Sequence, residues 1–283
     1  MKEKLGLGAV ALLALGLRLY GLNWDSGTHL HPDERFLTIV GSAIELPAPG
    51  EYFDTARSPA NPHNVGQSFY VYGTLPLFLF RAVGVATGNS SYAGLVTVQR
   101  AISAVADTVT VLLVALLAFR LAPVGKERKA AFLGALLYSF LPYAIQNAHF
   151  GTVDALGAMF VAAAMATTFA PGAATLARAF GLGAALGAAA ACKPNLVAYA
   201  AVPALAWLFS EERKVRAFGL LAVAALSAAI VFRVAQPYAF VGPGFFGLVP
   251  NPKWLENLAQ LKGLLSLDSW YAPGVQWVDR VFI

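Results

Sequence analysis

The stretch WDSGTHLHPDERF, residues 24–36, follows directly on the first apolar run of the chain. Its last eight positions hold two histidines, a proline, an Asp–Glu pair and an arginine, while most of the surrounding sequence is Ala, Leu, Val and Gly. Charge gathered this way has to be read against the rest of the chain. Hydrophobic residues make up 58% of the 283 positions and charged residues 12%, where soluble domains carry about 25% charged residues. A chain of this length cannot hide so much apolar surface from water, whereas lipid solvates apolar helix faces. Composition therefore predicts an all-α, polytopic transmembrane protein.

Working outward from residues 24–36, apolar segments fall at 5–22, 69–87, 93–119, 130–147, 154–170, 179–192, 195–210 and 217–235. Most approach the ~20 residues that cross a bilayer. The pair 179–192 and 195–210 is shorter and is hinged at CKPN, where Pro194 opposes a continuous helix. Abundant Ala and Gly permit close helix packing. The N-terminal segment has the charged start and apolar run of a signal peptide but no small-x-small cleavage site, so it reads as a retained first helix.

Lys and Arg set the orientation. Lys2, Lys4, RLAPVGKERK (120–129) and EERKVR (211–216) belong inside, which leaves 24–68, 147–154, CKPN and everything after about 236 outside. Between the outer loop 24–68 and the inner cluster 120–129 an odd number of crossings is required. Segments 69–87 and 93–119 therefore cannot both be simple spans, and the sequence leaves open which of them fails to cross. The net charge of +5 comes from scattered inter-helix clusters without a nucleic-acid-reading motif, so no nucleic-acid partner is expected. One cysteine, Cys192, excludes an intrachain disulfide and a multi-cysteine metal site.

The polar loops all fall on one face. Residues 24–67 contain six of the 15 acids and three of the four histidines. Within DERFLTIVGSAIEL, Phe36, Ile39, Val40 and Ala43 recur at helical spacing, which predicts a short amphipathic helix along the membrane surface. Three sets of residues converge outside: Asp33 and Glu34, then His149 and Asp154, then Lys193. Carboxylates there suit a general base, and a lysine or arginine at the lipid boundary suits a phosphate. Each has a plainer use: the acids can start a helix, Lys193 can snorkel, and Arg100 and Asp107, seven apart on one helix face, can form an intramembrane network. His29 and His31 lack the partners of a metal site, and Phe69, Tyr70 and Tyr72 read as an interfacial belt.

These motifs carry a resemblance. WDSGTHLHPDERF resembles the first outer loop of GT-C membrane glycosyltransferases, in particular the protein O-mannosyltransferase and lipid A aminoarabinose transferase group. QNAHFGTVDALGAMF, AACKPNLV and VAQPYAF resemble the family's second outer loop, its short-helix break and its return to the outer face, in family order. The resemblance implies a GT-C-like transmembrane catalytic module over 1–238 with its first outer loop at 24–68. From 239 to 283 it implies the start of an outer C-terminal part, cut short. It also implies an inverting enzyme that moves a sugar from a polyprenyl-phosphate carrier to a hydroxyl acceptor (protein, lipid or glycan). Carried over by position, Asp33 is the base, Glu34 its orienting neighbour and Asp154 a further catalytic acid. His149, Lys193, Arg100 and His31 then bind substrate. No cofactor is required and no metal is predicted. The expected setting is the bacterial inner membrane, with the site facing the periplasm.

Two rival readings remain open: a non-catalytic protein that binds or transports lipid-linked sugar, and a structural module of a larger membrane complex. The orientation itself can be checked. A cysteine introduced at Asp54 should label from outside intact cells, and one at Lys126 should not; outside labelling at position 126 would overturn the single-faced arrangement.

Overall fold

The computed structural model describes residues 2–210 and 214–264. The sequence after 264, including WVDRVFI, and half of the basic cluster 211–216 lie outside the described residues. Eleven helices are described: α1 (Lys2–Leu19), α2 (Pro32–Ala43), α3 (Thr74–Ala86), α4 (Tyr92–Leu121), α5 (Glu127–Ser139), α6 (Pro142–Ala148), α7 (Asp154–Thr168), α8 (Leu176–Cys192), α9 (Ala201–Ser210), α10 (Lys214–Ala235) and α11 (Pro252–Leu264). One pair of two-residue strands, β1 (Phe240–Val241) and β2 (Val249–Pro250), is the only sheet among the described residues.

The breaks follow the chemistry of proline. The apolar run 130–147 divides at Pro142, which starts α6, because the residue before a proline is driven out of the helical region. At CKPN, α8 ends on Lys193 in an extended conformation, and Pro194–Ala200 forms a 3₁₀ segment before α9. Among the described residues, α4 (30 residues) and α10 (22 residues) are long and apolar enough to cross a membrane. The 13 residues of α3 rise only about 20 Å, short of the ~30 Å hydrocarbon core. Of the two segments in conflict, α3 is therefore the one too short to span.

The chain forms two units. Among the described residues, the first comprises those up to Leu46 and those of Tyr72–Gln236, and the second comprises Pro47–Val71 and those from Pro237. Residues 24–68 are thus divided between the two units. In the second unit, β1 and β2 pair antiparallel, with Phe240 opposite Pro250. Thr55 Oγ1 donates to the Phe240 carbonyl at 2.7 Å, and the Ser58 and Tyr238 hydroxyls meet at 2.7 Å. Asn251 caps α11 by accepting from Lys253 N at 3.1 Å. Tyr70 is buried here and its N–H donates to Asn257 Oδ1, so it is not part of an interfacial belt.

The first unit buries large charged and amide side chains among its apolar core and leaves apolar side chains exposed on its helices. Arg18, Arg100, Arg233, Gln99, Gln236 and Glu34 are among the largest fully buried side chains, while Leu12, Leu137, Phe218 and Leu226 on the helices are exposed. Helix α2 shows the same rule locally. Of Phe36, Ile39, Val40 and Ala43 only Val40 is buried in the protein; the helix buries Glu34, Leu37, Thr38, Val40 and Gly41 and leaves Ile39 exposed. The helix is oriented by the partner of Glu34 and by close contact at Gly41, where a Cβ would lie 2.9 Å from Leu95 Cδ2.

Helix α8 packs against α10 through Gly183 and Gly187, spaced as in a small-xxx-small motif. A Cβ on Gly183 would meet the Ala224 carbonyl at 2.1 Å, and one on Gly187 the Ala228 carbonyl at 2.4 Å. Gly181 has open space around it. Gly183→Val and Gly187→Val should each lose about 2 kcal/mol or more, read as a lower Tm in detergent. Gly181→Ala should be neutral or mildly stabilising. Equal effects at all three positions would remove the two glycines as packing determinants.

Candidate functional site

At the centre of the first unit stands Arg100, on α4 and 1% exposed. Its Nε donates to Glu34 Oε2 at 2.8 Å, and Nη2 donates to Glu34 Oε1 at 2.5 Å and to Asp25 Oδ2 at 2.9 Å. Nη1 donates to Asp25 Oδ1 at 3.0 Å and to the Leu22 carbonyl at 2.6 Å. A guanidinium has five N–H groups, and all five are engaged. The Trp24 ring covers it, 5.0 Å from Cζ. Arg100 is therefore unavailable for a substrate phosphate, which corrects the expectation that it binds one. The Arg100–Asp107 network does not form either. Asp107 belongs to a separate buried cluster, accepting from Arg18 Nε at 2.5 Å and from the Tyr138 hydroxyl at 2.8 Å.

The carboxylates around Arg100 are equally well satisfied. Glu34 Oε2 also accepts from Gly151 N at 2.6 Å, in the loop between α6 and α7. Gly151 is required there because a Cβ would sit 2.5 Å from Gln99 Cβ. Asp25 accepts further bonds from Gly27 N and Leu30 N. The Arg100 hydrogen bonds, aided by these amides and by Coulomb attraction, hold its carboxyl well below the usual carboxylate range against the effect of burial. Because that folded-state pKa is lowered, the stability it confers is full above the ordinary carboxylate pKa and is lost progressively as pH falls below it toward the lowered folded-state value.

His31 and His149 support this frame. His31 is the N-cap of α2: its Nδ1 accepts from Glu34 N at 3.3 Å, and its ring lies against Phe150 with centroids 4.2 Å apart. The two ring nitrogens of His149 lie 2.7 Å from the Ile145 and Tyr20 carbonyls, tying the end of α6 to the end of α1. Its own carbonyl accepts from Trp24 Nε1 at 3.3 Å.

A second cluster lies at the break after α8. Lys193 Nζ is 2.9 Å from Asp154 Oδ1, and the two side chains keep 38% and 36% of their exposure. Gly73 N donates to the Cys192 carbonyl at 2.8 Å, a contact so close that a Cβ on Gly73 would lie 1.7 Å from the Ala191 carbonyl oxygen. The backbone next to Tyr72 is thereby held against the end of α8. The Tyr72 ring meets Phe36, one turn along α2 from Asp33, with centroids 6.1 Å apart. Its hydroxyl is hydrogen-bonded to Asp33; burial, Asp33 and Asp154 all raise its pKa, so it remains the donor. Asp33 itself is half-buried. Asp33, Asp154 and Lys193, distant in sequence, are thus gathered around Tyr72, a residue that sequence alone places in an interfacial belt. The signal that marks it is the following glycine, a residue that lets backbone approach backbone.

Among the described residues, no group of three or more His, Cys, Asp or Glu side chains stands together as a metal-ligand set. What the arrangement offers is a half-buried carboxylate, a phenol and an accessible ammonium, beside a locked Arg100–Glu34–Asp25 frame.

No protein-family model matches the sequence, and no curated protein matches it. Several solved structures share its fold. The S. cerevisiae protein O-mannosyltransferase Pmt1–Pmt2 complex bound to the sugar donor superposes with a TM-score of 0.60 at 18% identity, over 86% of this chain and 35% of that one. The apo Archaeoglobus fulgidus oligosaccharyltransferase superposes at 0.62 and 18% identity, over 99% and 34%. The archaeal oligosaccharyltransferase AglB from the same organism, in complex with an inhibitory peptide and a dolichol-phosphate, gives 0.62 and 18%, over 100% and 35%. The likeness is one of fold, the GT-C fold, and the chain spans about a third of the length of the proteins it matches.

Removing one partner of a buried ion pair leaves the other charge uncompensated, at about 3–5 kcal/mol. Glu34→Gln and Asp25→Asn should therefore lower the Tm sharply in detergent, while Asp33→Asn should leave it nearly unchanged. A Tm for Glu34→Gln equal to wild type would show that the frame does not depend on this pair.

Proposed function

We propose that this chain is the polytopic catalytic module of an inverting, lipid-carrier-dependent glycosyltransferase. It moves a sugar from a polyprenyl-phosphate carrier to a hydroxyl-bearing acceptor at the outer face of a membrane, in the setting of a bacterial inner membrane. The observation that carries this reading is the grouping of Asp33, Tyr72, Asp154 and Lys193, one half-buried base beside one accessible ammonium. The exposed apolar helix residues and the two helices of membrane-crossing length support the membrane, and the fold likeness supports the class. The narrower kinship to the O-mannosyltransferase and aminoarabinose transferase group rests on the loop motifs.

The chemistry asks little more. An acceptor hydroxyl is a weak nucleophile, so Asp33 takes its proton as the oxygen attacks the anomeric carbon. The bond from that carbon to the phosphate oxygen breaks, and the electron pair stays on the phosphate. A phosphate needs no proton to leave, and the Lys193 ammonium stabilises the charge it gains. Glu34, Arg100, Asp25, His31 and His149 hold the loops that carry these groups. Tyr72 directs the Asp33 carboxylate.

Asp33→Asn keeps the shape and removes the base. Purified protein should then consume lipid-linked sugar about 10²–10⁴-fold more slowly while binding the donor as before. Near-normal turnover would remove Asp33 from the mechanism and point to Asp154, since Asp25 is locked on Arg100.

A further inference from the structure

The ion pairs of the first unit are of two kinds. Arg100 with Asp25 and Glu34, and Arg18 with Asp107, have side chains no more than 4% exposed. Lys193 and Asp154 each keep over a third of their exposure. A pair this open to solvent contributes under about 1 kcal/mol, so its members can exchange partners where the buried pairs cannot.

The stem of Lys193 is nonetheless fixed. Its backbone N–H closes α8 on the Ala189 carbonyl, the preceding carbonyl is held by Gly73, and Pro194 follows. Only the flexible side chain is left to choose a partner. Two carboxylates bear on the cluster: Asp154 directly, and Asp33 through its bond to Tyr72, a phenol that also lies in the field of Asp154. Two carboxylates and one ammonium leave the cluster with a surplus negative charge. An arriving phosphate adds another, and Arg100 has no N–H left to offer. Asp154, at the first position of α7, has an alternative to its lysine, because a carboxylate is stabilised at a helix N-terminus by the local dipole.

We infer that Asp154 is the resting counter-ion of Lys193: it holds the ammonium in the empty site and is displaced when the anionic phosphate of a lipid carrier takes that ammonium. Carrier affinity is then set by competition between a resident carboxylate and an incoming phosphate for one cation. The inference rests on the reading of Lys193 as the phosphate contact and adds to it a role for Asp154.

The test uses the whole chain, purified in detergent, with undecaprenyl phosphate as probe and undecaprenol as the uncharged control, both followed by intrinsic tryptophan fluorescence. Asp154→Asn and Asp154→Ala should each tighten undecaprenyl phosphate binding by up to about fivefold and leave undecaprenol binding unchanged. Lys193→Ala should weaken undecaprenyl phosphate binding by about tenfold or more, and the gain from Asp154→Asn should collapse in that background. If wild type does not prefer the phosphate over the alcohol, or Lys193→Ala binds normally, the phosphate-contact reading fails. If Lys193→Ala weakens binding but the Asp154 variants do not tighten it, only the counter-ion role falls. That role also falls if the gain appears equally with undecaprenol or survives undiminished without Lys193.

Discussion

The first unit depends on one guanidinium. Arg100 joins four pieces of chain: the carbonyl of Leu22 after α1, Asp25 in the loop before α2, Glu34 at the start of α2 and, through Glu34, the amide of Gly151. A buried arginine is tolerable only if its charge is matched and every N–H finds an acceptor. Two carboxylates and a carbonyl do both. Because α2 is pinned through Glu34, its neighbour Asp33 falls on the side where Tyr72 waits. The geometry of the candidate base therefore derives from an interaction that does not touch it.

Much of this was legible in the sequence. The apolar runs became helices with their ends in nearly the expected places, and the prolines at 142 and 194 marked real breaks. Asp33, Asp154 and Lys193 stand out by residue type and loop position; in the structure Asp154 pairs with Lys193, and Asp33 bonds to Tyr72, which lies in the field of Asp154. Partner choice was not legible. Arg100 and Asp107 share a helix face, but each found its counter-charge on another element, 66 to 89 residues away. Helical spacing says which residues share a face and nothing about what arrives opposite them. The side of α2 that faces the protein was not legible for the same reason: it is set by the partner of Glu34 and by the close approach at Gly41. The association of 47–71 with the segment after 236 depends on contacts such as Thr55 with Phe240 that no local pattern announces.

The unit separates two uses of charge. Groups that fix geometry are buried and densely hydrogen-bonded. The groups assigned to chemistry remain partly open with fewer bonds, although the Arg100 and Lys193 clusters each set one cation against two carboxylates. This division lets the scaffold be rigid while the reacting groups keep the freedom to change partners. It also explains why an acid pair so close in sequence has two fates: Glu34 is enclosed on one side of α2, and Asp33, one residue earlier, stays half-open.

The order of these charges along the chain bears on how such a protein is made. Asp25 and Glu34 precede Arg100, and ribosomal synthesis delivers the N-terminal part first. For a chain threaded into a bilayer as it emerges, both carboxylates have already been synthesised when the helix bearing Arg100 is inserted. The arginine then passes from the translocation pore to a waiting pair of counter-charges instead of meeting hydrocarbon alone. Reversing that order would leave a solitary cation in lipid until its partners were synthesised. The polarity of the motif thus belongs to its biogenesis as much as to its final structure.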